Sequence, residues 1–181
     1  MTPAENHRAR AAAFGELVAG VSDWSAPAPV EGWSAQDVVT HLIEWPAAFL
    51  ASAGIELEPV PSDPAEGWAA RAARLQRLFD ESPDLIIDGT PMGPQPVASL
   101  LDQIYTGDVF LHSWDLARAS GQEPPLDEAT CQAMLGGMAS IEGPMRDSGQ
   151  FGAAVPVADG RSAMDRLIGF IGRDPDWRPA S

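Results

Sequence analysis

The chain has 181 residues, a formal net charge of −15 and a sequence isoelectric point of about 4.3. Such a surface repels phosphate backbones and anionic lipid headgroups, so neither nucleic acid nor a membrane is expected as a partner. Apolar residues make up 45 %, with six Trp, six Phe and a single cysteine, Cys131. That composition predicts one folded domain spanning residues 1–181, with no internal disulfide and no cysteine-based zinc cluster. The opening MTPAENHRAR lacks the apolar run of a secretory signal, and no stretch approaches transmembrane length, so a cytoplasmic protein is expected.

In chain order, residues 4–20 carry Phe14, Leu17 and Val18 among alanines and predict a helix stopped at Gly20. Asp23–Gly32, with Pro27 and Pro29, reads as a loop. Ser34 followed by Asp37 is a capping-box variant that opens a helix through Val38, Val39, Leu42 and Ile43 toward Phe49–Leu50. Pro46 lies inside that pattern and predicts a kink or short break. Residues 54–64 form a proline-rich loop, and Ala65–Phe79 a helix with Trp68, Ala72, Leu75 and Phe79 on one side. Leu85–Ile87 is short and β-like, and Pro91 to Pro96 is rigid and irregular, a candidate cavity wall. Val97 to Ala119 has helical apolar spacing and stops at Gly121, before Pro124 and Pro125. Further helices are expected from about Asp127 to Ile141 and over Ser162–Ile171, with FGAAVPV between them as an extended piece. The fold class is all-α: an up-and-down four-helix bundle with short extra helices.

Asp108 and His112, in DVFLHSWDL, stand four residues apart on one helix face, where two ligands can grip one divalent ion. With Leu101, Ile104 and Asp115 they form a stripe in which acids and an imidazole interrupt apolar residues. Asp37, His41, Glu44, Trp45 and Ala48 make a similar stripe on the earlier helix. Charged groups on a core face are costly unless paired, metal-bound or at a cleft. The candidate metal ligands are therefore His41, Asp108 and His112, with Asp115, Trp45 and Glu44 around them in the pocket. Zinc is the first choice, with nickel, iron or manganese as alternatives. The competing reading is a surface Asp–His pair and a His41 that bonds a carbonyl. Asp115 is a candidate acceptor for a ligand imidazole, or a partner for Arg118. His7 is expected to be solvated, Cys131 to be core, Gly136 and Gly137 to permit close packing, and Trp33, Trp45 and Trp114 to be core.

The segments EGWSAQDVVTHLIEW, DVFLHSWDLARASGQ and FGAAVPVADG…RLIGFIGRDPDW resemble the actinobacterial metal-binding branch of the DinB-like superfamily. That branch is related to the N-terminal domain of mycothiol-dependent maleylpyruvate isomerase. The resemblance implies a four-helix bundle whose three metal ligands match His41, Asp108 and His112. It also implies a thiol-dependent S-transferase or isomerase acting on a small electrophile, with mycothiol as cofactor and a monomer or homodimer as the assembly. The alternatives are a non-catalytic small-molecule- or metal-binding bundle, and a thiol-independent isomerase or cyclase of secondary metabolism. Two departures bear on this. The family pattern has Glu where this chain has Asp108, whose oxygen falls roughly 1–1.5 Å short; weaker, water-bridged or absent metal binding is then expected, improved by Asp108→Glu. The chain also leaves no room for the isomerase's separate C-terminal domain, so maleylpyruvate isomerisation itself is not expected to transfer.

Overall fold

A computed structural model describes residues 1–88 and 93–179. Its first three helices begin where side chains satisfy free amide groups of the first turn. Helix α1 (Pro3–Ala19) has a reciprocal capping box between Thr2 and Glu5, and α2 (Ala35–Ser52) has one between Ser34 and Asp37. At the start of α3 (Pro64–Glu81), Asp63 accepts from the amides of Ala65 and Glu66. A two-residue antiparallel pair, β1 (Ile86–Ile87) with β2 (Gln95–Pro96), leads into the short α4 (Val97–Leu101). The expected rigid stretch Pro91 to Pro96 falls partly outside the described residues. The rest of it is β2 and the two residues before it.

The helix expected over residues 97–119 is not uniform. Between α4 and α5 (Gly107–Ser120) lies a π-helical turn, Asp102–Thr106. A π-turn holds an extra residue per turn and re-aims the side chains around it. Tyr105 and Thr106 are therefore the buried residues there, and Ile104 is only partly so. Gly121 ends α5 in the left-handed conformation, φ 70°. Beyond it come α6 (Glu128–Ala139), α7 (Glu142–Asp147) and α8 (Ala163–Phe170). FGAAVPV forms no strand among the described residues, though the Val155 amide donates to the Gly169 carbonyl at 2.8 Å.

Helix α1 packs against α3 and α5, and α2 packs against the same two, so four long helices form a ring. In this ring α1 and α2 take opposite corners, joined by the 20–34 loop. The core of the ring holds Phe14, Leu42, Leu50, Leu75, Phe79, Tyr105 and Leu116. Helix α5 serves a second core as well: Phe110, Leu111 and Trp114 pack with Cys131, Leu167, Ile168 and Ile171 from the α6–α8 side. Each such large apolar side chain contributes about 1.5–3 kcal/mol on burial. Clamping on two sides leaves every residue from Val109 to Ala117 buried, including His112 and Asp115. Gly136 and Gly137 are exposed and a Cβ there would meet nothing, so they are not close-packing positions. Cys131 is core as expected. Burial, then Glu128, push its thiol up to about 11.

Pro46 sits inside α2 and has no amide hydrogen for the Leu42 carbonyl one turn back. The Tyr105 hydroxyl donates to that carbonyl at 3.3 Å, and Arg71 Nε donates to the next one, Ile43, at 2.9 Å. Buried Arg71 and Tyr105 thus stabilise the proline position by supplying donors from α3 and the π-turn.

His7, expected to be solvated, is 1 % exposed. Its position on α1 turns it inward, stacked on Phe79 at 4.7 Å, with Nδ1 donating to Gln76 Oε1 at 2.7 Å. Gln76 Nε2 in turn donates to the Ala4 carbonyl and Asp80, which fixes the amide's orientation. His7 Nε2 is buried without a partner, so a proton there has no acceptor. Burial lowers the His7 pKa below its ordinary 6.5. Below about pH 6.5 the unfolded chain takes up this proton and the native chain does not, so stability falls as pH falls, by at most about 1.4 kcal/mol per pH unit. Urea unfolding of His7→Phe should show a shallower loss between neutral and mildly acidic pH than the parent. An equal slope in both would contradict this burial.

Candidate metal centre

The centre forms where α2 meets the start of α5. His41 Nε2 lies 3.1 Å from Asp108 Oδ2, and His112 Nε2 lies 3.5 Å from Asp108 Oδ1. One ligand atom from each of His41, Asp108 and His112 lies within 4.8 Å of the others. Two donors on one zinc ion at tetrahedral angle stand about 3.4 Å apart. The separations of 3.1 and 3.5 Å bracket that value, and two imidazoles with one carboxylate suit a borderline divalent ion. The residues therefore fit a three-ligand metal site.

The gap expected from the shorter Asp108 is absent. Its carboxylate reaches both imidazoles and also accepts from Trp45 Nε1 at 2.9 Å. Asp108 is the second residue of α5, directly after the π-turn, and that turn sets its register against α2. Burial works to raise its pKa, but His112 first, and then His41 and Trp45, hold the carboxyl below its ordinary value.

Behind His112 stands a chain of polar contacts. His112 Nδ1 donates to Asp115 Oδ2 at 2.8 Å, which leaves Nε2 facing Asp108. Asp115, 1 % exposed, is held in turn by Arg173, whose Nε donates to Oδ1 at 3.2 Å and NH2 to Oδ2 at 3.3 Å. Asp115 thus accepts from the imidazole of His112, one of the candidate ligands. Its cation is Arg173, not Arg118, whose guanidinium lies over the Trp114 ring at 5.4 Å. Burial opposes protonation of His112, but Asp108 and then Asp115 overcome it and raise the pKa above 6.5.

Around the triad the tryptophans divide. Trp114 is core, as expected. Trp33 and Trp45, partly buried and packed against the core of the ring, also wall the centre: Trp33 stacks on His112 at 5.7 Å and lies 5.1 Å from the His41 ring, and Trp45 bonds Asp108. Glu44 is on the exposed face of α2. Sequence reasoning passed over Arg173 and the site role of Trp33. Trp33 carried one usable signal, its place immediately before the cap of the helix that bears His41. Arg173 lies after α8 with no spacing relation to Asp115.

Residues 7–65 match the family model described as the mycothiol maleylpyruvate isomerase N-terminal domain. The resemblance to that domain is shown. It spans α1, α2 and the start of α3, and so contains His41 but neither Asp108 nor His112. Two uncharacterized proteins from two strains of Mycobacterium tuberculosis are each 28 % identical over 180 residues, covering 96 % of this chain and 98 % of their own length. No solved structure matches the chain.

Two outcomes follow for metal binding. A divalent ion must displace any proton on its ligand imidazoles. With the His112 pKa raised above 6.5, zinc affinity should go on rising above pH 6.5, by about tenfold per pH unit while that proton is lost. Calorimetry across that range checks it, and a flat affinity would contradict it. Asp108→Glu, by contrast, should weaken zinc binding about tenfold, because a longer side chain loses the Trp45 bond and overshoots the two imidazoles. Tighter binding by Glu would restore the reach argument.

Proposed function

We propose that this protein is a divalent-metal protein, with zinc the first candidate, that uses a low-molecular-weight thiol such as mycothiol. The reaction is S-transfer to, or isomerisation of, a small electrophile. The observation that carries this reading is the convergence of His41, Asp108 and His112 beside two tryptophans, in a chain whose first helices match a mycothiol-related domain.

The residues divide the work as follows. His41 and His112 offer ring nitrogens and Asp108 a carboxylate oxygen, three protein donors that leave positions for other ligands. A metal bound there supplies positive charge that favours the thiolate of an incoming thiol at neutral pH. Asp115 and Arg173 hold the His112 ring with Nε2 toward the centre, so no reorientation is needed when a ligand arrives. Trp45 fixes Asp108, and Trp33 shields the imidazoles from bulk water. The sulfur comes with the cofactor, since Cys131 is buried in the second core with its thiol pushed up to about 11.

A second reading has one specific observation in its favour. Asp108 already has hydrogen bonds to His41 and Trp45 and stands 3.5 Å from His112 Nε2, an arrangement that a binding protein without turnover would also allow. Turnover separates the two. Zinc-loaded protein should conjugate mycothiol to a bimane electrophile, and chelation should stop it. His41→Ala and His112→Ala should each lose about 100-fold or more of that rate while keeping a helical circular dichroism spectrum. Stoichiometric zinc with no conjugation above the uncatalysed rate would favour the binding protein. Turnover without thiol would overturn the thiol reading.

A further inference from the structure

The 25–34 stretch of the loop before α2 is tied mainly to itself. The Ala28 amide donates to the Trp33 carbonyl at 2.8 Å, and the Trp33 amide to the Val30 carbonyl at 3.0 Å. Asp37 accepts from the Ser34 amide and hydroxyl. Among the described residues, the hydrogen bonds of this stretch all run within residues 23–38, so none reaches α1, α3 or α5. Its contact with the candidate centre is aromatic instead. The Trp33 ring lies 5.7 Å from the His112 ring at an interplanar angle of 16°, and 5.1 Å from the His41 ring at 50°. Trp33 also lines an open cleft of about 700 Å³ toward Trp177 and Arg178, which gives the ring space on its other side.

We propose that Trp33 is a positioning residue that couples this loop to the metal centre: it closes over His41 and His112 when they hold a divalent ion, and the closed ring raises affinity for that ion. The proposal rests on the metal reading above and is independent of the thiol. An imidazole that coordinates a cation loses electron density and becomes a positive ring. The face of an indole is negative, so its attraction to that ring strengthens. Neutral imidazoles offer it only the weaker stacking of uncharged rings. A contact of this kind is worth about threefold to thirtyfold in an equilibrium constant. With no hydrogen bond from the stretch to α5, that attraction bears directly on how often the loop opens. Coupling is reciprocal, so the factor by which the ion suppresses opening is the factor by which the stacked indole favours the ion.

Amide exchange, followed by solvent-exchange NMR with and without zinc, reads the loop, and calorimetry reads the affinity. Both are done at about pH 8.5, about two units above the ordinary imidazole pKa, so that the ion and not a proton supplies the charge. Saturating zinc should slow exchange of the Ala28 and Trp33 amides about threefold to thirtyfold. The Ile55 amide, bonded to the Leu50 carbonyl at 2.9 Å and about four turns along α2 from His41, is the reference and should change less than about twofold. Trp33→Leu should lose the slowing and bind zinc more weakly by a comparable factor. Trp33→Phe, which keeps a ring face, should retain most of both effects. Zinc binding without slowing in the parent, or parental zinc affinity in Trp33→Leu, would overturn the coupling and leave the metal reading standing. Equal weakening in the Leu and Phe variants would also overturn it, because loss of packing and not of the ring face would then be the cause. Failure of the parent to bind zinc would overturn the metal reading itself, and the coupling with it.

Discussion

The Asp108 carboxylate lies at the seam between α2 and α5, where an unpaired negative charge would cost several kcal/mol. It is tolerated because the Trp45 indole and the His41 ring hydrogen-bond to it and the His112 imidazole stands 3.5 Å away as a charge partner. These contacts join the two helices at one point and set the distance between the imidazoles. The constraint then propagates. His112 can face Asp108 through Nε2 only if something holds Nδ1, and Asp115 does so. Asp115, itself buried, requires a cation, and Arg173 arrives from the segment after α8 to meet it. A centre on the four-helix ring thereby depends on the second core, because α8 brings Arg173 into place.

A second requirement shapes the same seam from the α2 side. Pro46 leaves the Leu42 carbonyl without its helical donor. The donors that come, Tyr105 to Leu42 and Arg71 to Ile43, tie the π-turn and α3 to α2 within one turn of His41 and Trp45. Tyr105 also packs edge-on against Trp45 at 5.7 Å. The proline, the π-turn and the triad are therefore neighbours in one network. A change at Tyr105 or Arg71 is expected to reach the candidate centre through α2.

Much of the fold was legible because it rests on local signals. The Ser34–Asp37 capping box, the apolar face of α3 and the stop at Gly121 each follow from side-chain chemistry within one or two turns. The i, i+4 spacing of Asp108 and His112 was legible for the same reason, and the mixed stripe of the earlier helix, together with the family resemblance, pointed to His41. Features set by tertiary contact were not legible. His7 looked solvated beside Arg8 and Asn6, yet its helix face turns it onto Phe79. The π-turn has no period of its own, so residues 97–119 read as one helix and Ile104 took the core place that belongs to Tyr105. Arg173 reaches Asp115 across 58 positions of sequence, a distance over which no periodicity speaks. The shortfall assigned to Asp108 assumed that the backbone of a Glu-bearing relative would be kept, whereas here both imidazoles lie within reach of the aspartate.

The most direct test of the account is the ligand shell of the metal itself. Protein loaded with one equivalent of zinc can be studied by X-ray absorption together with an anomalous map at the zinc edge. The account predicts one ion bonded to His41 Nε2, His112 Nε2 and an Asp108 oxygen at about 2.0–2.2 Å, with the remaining shell from water. An ion bound elsewhere, or a shell in which only one imidazole takes part, would contradict it.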